Sequence, residues 1–117
     1  MAESLRPGAE FRVAGLSITR IARKDVSTSA SGAQPRVWTF LEFAAADDVA
    51  DELGRALAES LATDGGWYAD FTVGHEHVVV FANRVFRYGR DDRAGREEAV
   101  EYGRTVGVPE HQLDWSD

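Results

Sequence analysis

Apolar and polar residues alternate along this chain, switch to a helical period, and alternate again. Phe11 and Val13 share one parity, Leu16 and Ile18 the other, and the flip at Ala14-Gly15 predicts a β-bulge in a first strand. Residues 24–35 (KDVSTSASGAQP) are small and polar without a period, so they predict a mobile loop inside a hairpin. Residues 36–44 (RVWTFLEFA) carry β-branched and aromatic side chains on both parities, the pattern of a strand interior to a sheet. Val49, Leu53, Leu57 and Leu61 then recur every fourth position, with Ala46, Ala50 and Ala56 alongside. That spacing predicts an amphipathic helix, capped by Asp47 or Asp48 and stopped at Asp64-Gly65-Gly66.

Residues 67–88 (WYADFTVGHEHVVVFANRVFRY) predict a three-stranded meander with two-residue turns at Gly74-His75 and Ala82-Asn83. A second helix is expected from Asp91-Asp92, with Ala99, Tyr102 and Val106 on its apolar side and a stop at Gly107-Val108-Pro109. One short turn follows, with Leu113 and Trp115 tucking onto the body. The order is ββαβββα. It predicts an α+β fold, a mainly antiparallel sheet of about five strands with two amphipathic helices. A length of 117 residues makes residues 1–117 a single domain, with 1–9 expected as a flexible tail.

Composition narrows the function classes. There is no cysteine, which excludes disulfides and thiolate metal sites. No leader-like segment opens the sequence, and no apolar run approaches the ~18 residues a membrane span needs. The expectation is a cytoplasmic protein with no membrane partner. A net charge of −7 argues against nucleic acid, whose binding depends on neutralising phosphates. The charge is segregated: residues 6–36 balance at +4 and residues 42–64 at −6. An acidic helix of this kind keeps a protein soluble or faces a basic partner. Lys24 is the one lysine among 13 basic residues, a bias that suggests a GC-rich genome and says little about function.

Candidate chemistry lies on the meander. Alternation puts Trp67, Ala69, Phe71, Val78, Val80 and Val85 on one face, wholly apolar and expected to meet the helices. The other face collects Tyr68, Asp70, Thr72, His77, Val79, Phe81, Arg84, Phe86 and Tyr88. It is too aromatic for solvated surface and too polar for ordinary core. The N-terminal strands or a second subunit would cover such a face, or it would hold a small molecule or a peptide. Tyr68, Asp70, His77, Phe81, Phe86 and Tyr88 are therefore the candidate binding residues.

His75-Glu76-His77 reads as an exposed hairpin tip, since it lacks the convergent ligands of a stable metal site. Asp70 and His77 could form an acid–base pair, but no nucleophile accompanies them in the pattern. Arg84, Arg87, Arg90, Arg93 and Arg96 recur every third residue, crossing from strand to helix. They are expected to fan out and pair with Asp91, Asp92, Glu97 and Glu98, or to bind an anion near the second helix. No phosphate-binding glycine loop is present. No cofactor, metal or catalytic residue is expected.

The segments GWYADF (66–71), HVVVFANRVFRY (77–88) and EYGRTVGVPEHQLDW (101–115) resemble a group of small uncharacterised bacterial and phage-associated proteins. These share an ending of the form WY-x-x-F, an apolar hairpin, a helix, and VP or IP leading to QLDW. The resemblance spans residues 65–115, implies an α+β C-terminal half and supplies no activity. The reading that follows is a non-enzymatic interaction module, self-associating as a homodimer through the aromatic sheet face. Its rivals are an acidic inhibitor or immunity-type protein docking on a basic partner, and a small ligand-binding protein or enzyme using Asp70 and His77.

Overall fold

The computed structural model describes residues 1–115. Five strands and two helices follow one another as β1 (Ser17–Asp25), β2 (Val37–Ala44), α1 (Ala50–Ser60), β3 (Ala69–Val73), β4 (Glu76–Phe81), β5 (Arg84–Gly89) and α2 (Arg93–Thr105). The fold is α+β and every strand pairing is antiparallel. The strands divide between two sheets, a β1–β2 hairpin and a β3–β4–β5 meander.

The meander folds as its pattern predicts. Two-residue turns at Gly74-His75 and Ala82-Asn83 set the register, pairing Asp70 with Val79, His77 with Tyr88 and Val79 with Phe86. Asn83 takes the left-handed conformation (φ 62°), which its short polar side chain tolerates. Its N–H donates to the Ala58 carbonyl at 2.8 Å, so the turn is also fastened to α1. Val78 and Val80 pack against Ala58 of α1 and Leu61 just after it on one face. Val79, Phe81 and Tyr88 pack against Ala99 and Val100 of α2 on the other. The central sheet is therefore sandwiched, one helix to each face.

The second helix begins and ends for identifiable reasons. Asp92 caps α2 by accepting from the Gly95 N–H at 3.0 Å. Gly107 (φ 90°) ends its last turn, and a short 3₁₀ turn at Glu110–Gln112 folds Leu113 and Trp115 into the core as expected. The cap expected of Asp47 or Asp48 is not made. A 3₁₀ turn (Asp47–Val49) precedes α1 instead, and neither aspartate bonds a backbone N–H there. Among the described residues no helix is long and apolar enough to cross a membrane.

The N-terminal half departs from its pattern in three places. The register shift of β1 falls between Ile18 and Arg20 rather than at Ala14-Gly15, which makes a turn before the strand. β2 is not interior: it pairs with β1 alone. Part of its outer edge is closed by the Glu3 carboxylate, which accepts from the Thr39 N–H and hydroxyl. That contact also holds down the expected tail. Ser4 and Arg6 exchange backbone hydrogen bonds with Ala62 and Ser60, and Leu5 bridges Leu61.

The loop expected to be mobile is likewise anchored. Gln34 is buried and donates to the Gly65 carbonyl (2.9 Å), while Gln112 donates to Gln34 (3.0 Å) and to the Ser29 carbonyl. Two glutamines far apart in sequence thus satisfy each other in the interior and stitch the loop to the C-terminal turn.

Candidate functional site

The six candidate residues share one sheet face, but that face is not open. Phe81 is 1 % exposed, and its ring lies 5.1 to 6.4 Å from those of Tyr68, Phe86, Tyr102 and Trp115. Tyr88 is buried, and its hydroxyl accepts from the Trp115 indole at 2.9 Å. The expected association surface is therefore core, covered by α2 and residues 108–115. The residues of β1 and β2 are not among those packed on it. The signal was present in the sequence, since the apolar side of α2 needs a sheet face and Leu113 and Trp115 need a core.

Asp70 and His77 are brought together across β3 and β4. The imidazole Nε2 lies 3.1 Å from Asp70 Oδ2, so in the neutral ring the hydrogen sits on Nε2 and the carboxylate accepts it. Nδ1 then presents a lone pair, buried and without a hydrogen-bond partner among the described residues. His77 is 1 % exposed and its ring centroid lies 5.8 Å from that of Tyr88. It is not part of an exposed tip, and a substrate has no path to its free nitrogen. A relay of nucleophile, imidazole and carboxylate is not assembled here.

Asp70 differs from its partner in accessibility, keeping 36 % of its side-chain exposure. Burial of the rest raises its pKa above the usual carboxylate value, and the charge of Asp114 adds to this. The His77 contact pulls in the opposite direction without overcoming it. Tyr68 donates its hydroxyl to the Gln112 carbonyl, and burial pushes its pKa upward as well.

Asp70 and Asp114 border a groove of about 400 Å³ between the hairpin and the body. Leu53 and Leu57 of α1 form one wall, and Leu41 and Phe43 of β2 belong to another. Trp38 and Trp67, with ring centroids 5.2 Å apart, contribute where the hairpin joins the central domain. Leu57, expected within the core, is only half-buried because it lines this groove. Phe71 reaches it from the opposite face of β3 to Asp70, so the groove runs along that strand's unpaired edge.

Three arginines of the run make contacts within the fold. Arg87 makes ion pairs with Glu76 (2.9 Å) and Asp51 (2.7 Å), not with the acids around the start of α2. Arg84 lies over the rings of Phe86 and Tyr102, and Arg96 donates to the Trp115 carbonyl at 3.0 Å. His75 is exposed in its turn, and among the described residues no three His, Cys, Asp or Glu side chains are placed to hold a metal. No family model, curated protein or solved structure matches the chain.

Proposed function

We propose that the protein is a non-enzymatic binding module for a small apolar molecule that carries a cationic amine. The groove supports this reading: about 400 Å³ lies within the range of small-molecule sites, with aliphatic and aromatic walls and few polar groups. Its carboxylates select the charge of the ligand. Asp70 is partly desolvated, and among the described residues its one ion-pair contact is with the His77 imidazole. An ammonium group there would gain a charge-assisted hydrogen bond, while a carboxylate would be repelled. The apolar remainder of the ligand would lie against Leu57 and Trp67.

Trp38 and Trp67 report directly on occupancy through their fluorescence. Titration with 2-phenylethylamine is expected to change the emission, and 3-phenylpropanoate is not. Asp70→Asn keeps an acceptor for His77 Nε2 and is expected to weaken amine binding by about 10- to 100-fold, the worth of one charge-assisted hydrogen bond. Because the Asp70 pKa is raised, affinity should begin to fall at a higher pH than an ordinary carboxylate of pKa about 4 would dictate. Equal binding of the amine and the acid, or indifference to Asp70→Asn in a folded protein, overturns the reading.

A further inference from the structure

We infer that the amine-bearing ligand of the groove is a short extended peptide, anchored by its N-terminal ammonium at Asp70 and paired along its backbone with the free edge of β3. The inference rests on the groove's preference for an ammonium and assigns the rest of the ligand. β3 is an outer strand, bonded to β4 alone. The two-residue turn at Gly74-His75 makes Val73 and Glu76 a hydrogen-bonded pair, so the bonded pairs recur at Phe71 with Val78 and at Ala69 with Val80. Asp70 and Thr72 therefore aim their N–H and C=O groups away from β4, and both residues are exposed. Among the described residues these four groups have no backbone partner elsewhere. The groove follows this edge, because Ala69 and Phe71 line it from one face of the strand and Tyr68 and Asp70 from the other.

An open edge of this kind is a template for a second extended chain. Alternating donors and acceptors at strand spacing are matched by a peptide backbone and by few other small ligands. Charge sets its direction. Asp114 lies close enough to bear on the charge of Asp70, and both border the groove. The amino group of Met1 also lines the groove, but its charge partner is Glu3 rather than either aspartate. An N-terminal ammonium opposite Asp70 can donate to its carbonyl and to its carboxylate, while the first residue's carbonyl accepts from the Asp70 N–H. Running from there towards Trp67, the peptide is antiparallel to β3. Its second side chain then falls on the face of Phe71, where Leu53 and Leu57 form an apolar wall. The specificity is for an unblocked N-terminus followed by an apolar second residue.

Three ligands test this on the whole chain: alanyl-phenylalanyl-alaninamide, its N-acetylated form and 2-phenylethylamine. Binding is read by tryptophan emission, and backbone pairing by amide exchange resolved residue by residue in NMR. The free tripeptide is expected to bind more than about tenfold tighter than 2-phenylethylamine, the gain from two added backbone hydrogen bonds. N-acetylation should cost at least about tenfold, because it removes the charge that Asp70 holds. Exchange of the Asp70 amide should slow more than about tenfold with the tripeptide and stay unchanged with 2-phenylethylamine. The Phe71 amide, already bonded to Val78, should change less. If 2-phenylethylamine binds but the tripeptide binds no tighter, or leaves Asp70 exchange as it was, the inference is overturned and the groove remains a site for small amines. Equal binding of the acetylated tripeptide removes the anchor and overturns it too. If none of the three binds, the amine reading falls with it.

Discussion

Phe81→Ala is expected to destabilise the fold by about 3–5 kcal/mol, the cost of truncating a buried aromatic to a methyl group. The ring sits at the centre of the aromatic cluster, beside the rings of Tyr68 just before β3, Phe86 of β5, Tyr102 of α2 and Trp115 of the C-terminal segment. Those neighbours are themselves fixed: Tyr68 by its bond to the Gln112 carbonyl, and Trp115 by its bond to Tyr88. The void cannot close by collapse of one side chain, so the loss falls towards the upper part of that range. Measured against a typical stability of about 5–15 kcal/mol, it would unfold a large fraction of the molecules on mild heating. Urea denaturation gives the number. A loss below about 1 kcal/mol would mean that the ring is not central to the core.

Gly66→Ala is expected to cost about 2–5 kcal/mol from two separate causes. Its φ of 68° places it where an L side chain is strained by about 1–3 kcal/mol. A Cβ there would also lie 2.5 Å from the Gly107 carbonyl oxygen and 3.2 Å from Val108 Cα. Both are backbone atoms, so no rotamer change relieves the overlap, and the end of α2 must move. Gly107→Ala separates the two causes: φ is 90°, but a Cβ would meet nothing within 4 Å. It should cost only the strain. Equal losses for the two substitutions in thermal denaturation would show that the close approach of the α1–β3 loop to α2 carries no energy.

The C-terminal half was legible because its signals are local. Gly74 and Asn83 mark the turns, and a period of two residues between them leaves one workable register. The faces of the meander followed from that, and with them the shared face of Asp70 and His77. The expectation that the helices would meet the wholly apolar face held for α1 alone, since α2 packs on the face of Val79, Phe81 and Tyr88, which alternation had marked as too polar for core. The connections on either side of the meander decide which helix takes which face. β2 misled because apolar residues on both parities suit an interior strand, whereas Trp38 enters the core and Leu41 and Phe43 do not. The groove and the Gln34–Gln112 contact arise between distant segments, and no periodicity marks either.

The composition of the larger core has a consequence for the order of events in folding. Its members run from Tyr68 to Trp115, one uninterrupted stretch, whereas α1 and the hairpin pack onto a sheet made later in the chain. A ribosome therefore releases the amphipathic helix and the apolar hairpin before their packing surface exists. Contacts within the later stretch need only short loop closures, which favours its forming first. The transition state should then hold the meander with α2, and the earlier half should dock afterwards. In stopped-flow refolding, Val79→Ala should chiefly slow folding, while Leu53→Ala should chiefly speed unfolding. The opposite partition would place nucleation in the N-terminal half. Newly made chains would in the meantime expose Leu53, which is buried only once the later sheet has formed.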